Sequence, residues 1–305
     1  MPHTVSQLEQ TLRARRFAIT TELTPPVSFD PDDLLHKARP LKGLADAVNV
    51  TDGASARAHM SALAAAALLA EDGIEPILQL TCRDRNRIAL QADLMGAAAL
   101  GIHNLLLITG DDPKAGDQPD TKPVFDVDST MLTAMARVMH DQGELPTGRK
   151  IAGQASFFLG AADMPIDPPP GWVPTKLAAK IKAGAQFAQT QFCMDQSIVA
   201  RYAQRLAGSD TTRSLHLLIG IAPLRSAKSA RWMREHLHGT IIPDDMVERL
   251  EHAADPVAEG ARICVELVEA LAAIPGVAGA HIMAPANEAV VPEVIAQARQ
   301  RLPKS

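Results

Sequence analysis

The chain has 305 residues and a mass of 32.5 kDa, with 47% hydrophobic and 21% charged residues, a globular balance that excludes collagen-like and disordered chains. Lys and Arg number 30 against 35 Asp and Glu, giving a net charge of −5, and 3% of residues are aromatic. A nucleic-acid partner is disfavoured, because phosphate backbones call for a basic surplus and base stacking for aromatic side chains.

In chain order, residues 1–16 are polar, with Arg13, Arg15 and Arg16 just before the first apolar run, and they lack the apolar core of a signal peptide. Phe17 to Leu23 reads as the first strand, with Glu22 at its end in Thr20-Thr21-Glu22-Leu23-Thr24-Pro25-Pro26. Asp30 followed by Pro31 is a helix start. Ala45 to Thr51 is the second strand, ended by Thr51-Asp52-Gly53. The Ala-rich run from Ser61 to Ala70 is too short to cross a bilayer. Pro76 to Thr81 is the third strand, carrying Gln79 and running on into Cys82-Arg83-Asp84-Arg85-Asn86. Ile88, Ala92, Met95 and Ala99 then form an apolar stripe at helical spacing.

Asn104 to Thr109 is the fourth strand, followed by a loop, Gly110 to Asp126, rich in Asp, Pro and Gly. Lys150 to Phe158 is read as the fifth strand, with a second loop from Ala161 to Pro174. Phe187 to Phe192 is the sixth and holds Gln191; Leu215 to Ile221 is the seventh. His236 and His238 are two apart in a helical pattern, so they point to different faces and read as surface residues, not metal ligands. Asp255-Pro256 opens a helix with the inner stripe Val257, Ala261, Cys264, Val268 and Leu271, and Gly279 to Met283 is the eighth strand.

Most of these strands are continuously apolar, as in a parallel sheet buried on both faces. Eight βα units in about 300 residues point to the α/β class, as a single (β/α)8 TIM barrel over residues 1–305; a doubly wound sheet is the alternative topology. Barrel active sites lie at the C-terminal ends of the strands. Polar residues cluster there, and a carboxylate in a dry pocket at such a position can serve as a general acid. No Gly-x-Gly, phosphate-binding P-loop or His-Glu-x-x-His is present, so a nucleotide cofactor would have to use barrel loops, and no metal is expected. Three widely spaced cysteines, Cys82, Cys193 and Cys264, suit a reducing compartment, and the chain reads as cytoplasmic and without a membrane segment.

From about Phe17 to Val294 the chain resembles the methylenetetrahydrofolate reductase family. The resemblance rests on Glu22-Leu23-Thr24-Pro25-Pro26, Val50-Thr51-Asp52-Gly53-Ala54, Leu80-Thr81-Cys82-Arg83-Asp84-Arg85-Asn86, Thr109-Gly110-Asp111, the run from Lys180 to Gln191, and the run from Gly220 to Lys228. It implies a (β/α)8 flavoprotein in which NADH or NADPH reduces FAD, and FAD reduces 5,10-methylenetetrahydrofolate to 5-methyltetrahydrofolate. By the same resemblance Glu22 is the general acid, Asp111 lies near flavin and pterin, and Gln191 contacts substrate. Trp232 is the aromatic matched to nicotinamide or pterin stacking. Thr51, Asp52, Ala54, Gln79, Thr109, Gly110, Phe125, Asp126 and Lys180 map to flavin positions, and Arg83 or Lys180 is placed to meet the pyrophosphate. The implied partner is a small tetrahydrofolate derivative, and the implied assembly a homo-oligomer. Better-known bacterial members carry His where this chain has Gln79, Arg where it has Thr109, and Arg where it has Asn287. Their Tyr and His after the fifth strand are missing from Ala161-Ala162-Asp163-Met164-Pro165. The alternatives are a flavin-free reductase or folate-linked one-carbon transferase on the same barrel, or a folate-binding subunit of a larger complex.

Overall fold

The structure is a computed structural model and describes residues 6–303; the ends of the expected 1–305 domain, residues 1–5 and 304–305, lie outside the described residues. In chain order it comprises α1 (Gln7–Arg13), β1 (Ala18–Leu23), α2 (Pro31–Ala38), β2 (Ala47–Val50), α3 (Ala62–Glu71), β3 (Pro76–Thr81), α4 (Arg87–Ala99), β4 (Asn104–Ile108), α5 (Ser129–Gln142) and β5 (Phe158–Asp163). It continues with α6 (Thr175–Ala183), β6 (Phe187–Phe192), α7 (Gln196–Ala207), β7 (His216–Ile221), α8 (Ala227–His236), α9 (Asp244–His252), α10 (Pro256–Ala272), β8 (Val277–Ile282) and α11 (Val291–Arg301). All eight strands are parallel and close in the order β1 to β8, with β8 pairing back onto β1. This is a (β/α)8 TIM barrel.

Two apolar layers hold it together. Residues facing the helices, among them Ile19, Val48, Leu78, Leu105, Ala188 and Ile219, join the outer core. Inward-facing Ala18, Ala47, Ile77, Leu106, Phe158, Phe187 and Leu218 form a separate cluster inside the barrel, and Leu8 and Leu12 of α1 plug its N-terminal end. Burial on both faces is why the strands show no polar alternation in sequence. One step nearer the C-terminal end the inward positions of β1, β2, β3, β6 and β8 turn polar: Thr20, Asn49, Gln79, Gln189 and His281 are all buried.

Three readings need correction. The fifth strand is Phe158–Asp163, not Lys150 to Phe158. Its core, Gly160-Ala161-Ala162, has low β propensity, but the barrel interior demands small residues there. A Cβ on Gly160 would sit 2.2 Å from Phe187 Cζ, and the Phe158 and Phe187 rings stack at 4.8 Å. The loop after it accordingly starts beyond Asp163 rather than at Ala161. The helix expected from the spacing of Ile88, Ala92, Met95 and Ala99 forms as α4, with those residues on its exposed face and Leu90, Gln91, Leu94 and Ala97 packed inward. On α10 the stripe is buried at Cys264, Val268 and Leu271, while Val257 and Ala261 are half-buried. Cys82, Cys193 and Cys264 are free and buried.

Candidate functional site

The C-terminal ends of β1, β2, β3, β4 and β8 converge on one side of the barrel mouth. Glu22 is the next-to-last residue of β1 and its side chain keeps 26% of its exposure. Burial, then the negative charge of Glu288, pushes its carboxyl up to about 7. His281 Nε2 on β8 lies 4.0 Å from Glu22 Oε2. Burial pushes His281 down to about 3, so the ring is neutral. Beside Glu22 is a cavity of about 650 Å³ lined by Thr24, Pro25, His36, His59 and Glu288. A smaller one of about 290 Å³, lined by Asp52, Gly53, His59, Arg83 and Gln118, lies next to it with His59 on both walls.

The β2, β3 and β4 ends form a knot. Asp52 accepts the Thr81 N–H at 2.8 Å and is ion-paired with Arg85. Arg85 also holds Asp93 at 2.9 Å. Arg83 is buried, bidentate on Asp84 at 2.7 and 2.8 Å, and donates to the Gly53 carbonyl at 3.2 Å. Gly53 (φ +59°), Ser55 and Ala56 are left-handed, with Ala54 between them. Gly110 has φ +93°, and a Cβ on it would stand 3.1 Å from both Thr81 Cβ and Arg83 Cβ. Only glycine suits that close approach. Asp111 is exposed at the rim; the Asp84 hydrogen bond chiefly holds the Arg83 proton, and the charges of Asp52 and then Asp111 add to it. The Arg83 carbonyl accepts from Val124 N at 2.7 Å, which draws the Phe125 segment onto this corner. Thr51 Oγ1, Thr81 Oγ1 and His59 Nδ1 are buried without a hydrogen-bond partner. Orphaned donors and acceptors of this kind are costly unless a ligand or water meets them.

Other residues singled out in the sequence lie in different settings. Gln79 is buried inside the barrel. Thr109 is exposed and donates to Ser129 Oγ at 3.3 Å. Asp126 is bidentate with Arg87 at 2.7 and 2.9 Å and also accepts Arg87 N–H, and this pairing holds it down to about 2. Lys180 on α6 donates to the Ala162 carbonyl at 2.6 Å, and burial lowers its pKa. Gln191 Oε1 accepts the Phe192 N–H at 3.0 Å, and its amide nitrogen donates to the His238 carbonyl at 3.3 Å. Trp232 is half-exposed on outer helix α8 and stacks on His236, with ring centroids 5.0 Å apart. The fold therefore gathers Glu22, Thr51, Asp52, Ala54, Arg83, Gly110 and Asp111, and leaves Trp232 outside that group. A groove of about 1000 Å³ between α6 and α7, lined by Trp172, Arg201 and Arg205, holds none of the strand-end acids.

Sequence reasoning missed Asn49, His59, Gln189, His281 and Glu288. A signal existed for three of them: Asn49, Gln189 and His281 are polar residues inside otherwise apolar buried strands, and such residues are buried only with partners.

Against known proteins, the chain matches the family model described as methylenetetrahydrofolate reductase over residues 7–299. No curated protein sequence matches it. Among solved structures it is similar to an uncharacterized protein from Clostridium thermocellum that binds two copies of 5-methyl-5,6,7,8-tetrahydrofolic acid. That similarity has 13% identity and a TM-score of 0.63, covering 96% of this chain and 98% of that one. Tryptophan synthase from M. tuberculosis, in an open form with BRD0059 bound, matches with 14% identity and a TM-score of 0.44, covering 98% and 100%.

Proposed function

Because the chain belongs to the methylenetetrahydrofolate reductase family, we propose that it reduces 5,10-methylenetetrahydrofolate to 5-methyltetrahydrofolate with NADH or NADPH through bound FAD. The observation that carries this reading is Glu22: a carboxyl held to about 7 at a strand end, beside a cavity of about 650 Å³. Such a group is half-protonated near neutrality, the best condition for a general acid. The folate ligand is supported by the fold shared with the 5-methyltetrahydrofolic acid-binding protein.

The β2–β3–β4 corner fits a flavin. Its orphaned Thr51 and Thr81 hydroxyls offer hydrogen bonds, Gly53 and Gly110 let the Arg83 and Thr81 side chains pack against the two loops, and Arg83 supplies charge. When bound, FAD supplies the hydride that no side chain can give. The chain's own residues do the rest. Glu22 donates a proton to a ring nitrogen of the folate imidazolidine, opening it to the iminium ion that accepts hydride. Asp111 and Gln191 orient the pterin, a ring dense in donors and acceptors. Among the described residues no helix is long and apolar enough to cross a membrane. A cytoplasmic homo-oligomer acting on a small tetrahydrofolate derivative completes the proposal.

A flavin-free reductase is the second reading, and one set of observations favours it. Arg83 is held by Asp84 and Gly53, Lys180 by Ala162, and Asp126 by Arg87. Each is a residue expected to meet the flavin, and each already has an internal partner. The test is an absorbance spectrum of the purified protein, followed by anaerobic addition of 5-methyltetrahydrofolate. A yellow protein that loses colour and activity on dialysis and regains both with FAD supports the proposal. Full NAD(P)H-dependent folate reduction by flavin-free protein replaces it with direct transfer from nicotinamide.

A further inference from the structure

Four residues of the buried polar layer beneath Glu22, Thr20, Asn49, Gln189 and His281, form a connected chain, and its hydrogen bonds bear on the state of His281. Asn49 Nδ2 donates to Gln189 Oε1 at 2.6 Å, and Gln189 Nε2 donates back to Asn49 Oδ1 at 3.0 Å. That orientation aims Gln189 Nε2 at Thr20 Oγ1, 3.0 Å away, as a donor. The Thr20 hydroxyl is then an acceptor with its own proton to place. His281 Nδ1 stands 3.0 Å from it, and the Ala280 carbonyl is the longer alternative at 3.5 Å. Gln189 Nε2 also approaches Nδ1 at 3.3 Å. The two Gln189 Nε2 hydrogens are taken by Asn49 Oδ1 and Thr20 Oγ1, so the Thr20 hydroxyl is the donor to Nδ1; Nδ1 accepts, and a neutral imidazole then carries its hydrogen on Nε2. Nε2 is the atom that faces Glu22.

We propose that His281 is a positioning residue for Glu22: the Asn49–Gln189–Thr20 chain locks its ring with Nε2–H aimed at the Glu22 carboxyl, fixing where that group points and favouring its ionised form. Its catalytic consequence rests on the reductase reading; its effect on Glu22 does not. Four other titratable groups line the cavity around Glu22: Glu288 before α11, His36 and Lys37 of α2, and His59 after β2. They stay in place in each variant considered next, so a change in Glu22 on altering His281 belongs to His281.

The experiment is infrared titration of Glu22 in ¹³C-glutamate-labelled full-length protein, the band being assigned by its loss in Glu22→Gln. The companion is a ¹⁵N-histidine NMR spectrum, which reads the tautomer directly. His281→Asn keeps a polar group where Nδ1 stood but removes the donor facing Glu22, and the Glu22 titration should move upward by about half to one pH unit. His281→Gln, with an amide nitrogen near the place of Nε2, should restore most of it. In a working reductase the alkaline limb of folate turnover moves with the infrared value. An unchanged titration in folded His281→Asn overturns the proposal. So does a downward shift, or a wild-type ¹⁵N spectrum with the hydrogen on Nδ1, because Nδ1 would then donate to Thr20 Oγ1, the Thr20 hydroxyl would turn to the Ala280 carbonyl, and Nε2 would be an acceptor. If His281→Asn does not fold, Thr20→Val serves: loss of the fixed Nε2–H signal supports the lock, and its persistence overturns it. An inactive wild-type protein would sink the reductase reading and leave the titration result standing.

Discussion

Glu288 faces Glu22 across the cavity between β1 and the turn before α11, and its negative charge adds to burial in holding the Glu22 proton. Burial and a like charge on the same wall both disfavour ionised Glu22, so it keeps its proton to higher pH. Several consequences of this pair are measurable.

Glu22→Gln should retain reduction of bound flavin by NAD(P)H and lose folate turnover by about 10²- to 10⁴-fold, the usual worth of a general acid. Stopped-flow measurement of the two half-reactions separates them. Near wild-type reduction of methylenetetrahydrofolate would refute the role.

The same carboxyl ties stability to pH. Its value rises from 4.5 in the unfolded chain to about 7 in the fold, so the folded state binds more protons between those values. Its contribution is complete below about pH 4.5 and is lost as pH rises through 7, with a ceiling of about 3 kcal/mol. Glu22→Gln, which cannot ionise, should gain thermal stability over the wild type at pH 8 compared with pH 5. Equal differences in melting temperature at the two pH values would contradict the buried protonated state.

Asp111→Asn should slow the folate half-reaction while leaving the melting temperature close to wild type. Asp111 is exposed and acts on Arg83 through its charge, and surface charge pairs contribute little to stability. A variant that melts several degrees lower and turns over normally would make Asp111 a structural loop residue.

Gly160→Val tests the barrel interior independently of chemistry. The new side chain would drive into the Phe187 ring, whose nearest atom is 2.2 Å from the Cβ position. Overpacking of this kind costs about 1–3 kcal/mol. Denaturant unfolding should show a lowered midpoint, and an unchanged midpoint would mean the rings can move aside.

The sequence by itself determined the barrel and much of its rim. Eight apolar runs separated by helical patterns lead to a closed parallel sheet, and Glu22, Thr51, Arg83 and Asp111 were legible as polar residues at strand ends, where a barrel always collects them. It misplaced β5, because Gly160-Ala161-Ala162 forms a strand only against the phenylalanine rings it must accommodate. It also could not say which face of α4 is inside, since both faces of that helix carry apolar residues. The partners were decided by tertiary structure alone. Asp52 reads as a free rim acid until Arg85 closes on it. Thr20 and His281 are 261 positions apart and bond only because the barrel closes β8 onto β1. Strands buried on both faces erase the period-two signal that would tell inward from outward, so the polar layer that faces Glu22 exists in the sequence only as isolated letters, and closure of the sheet is what turns them into a network.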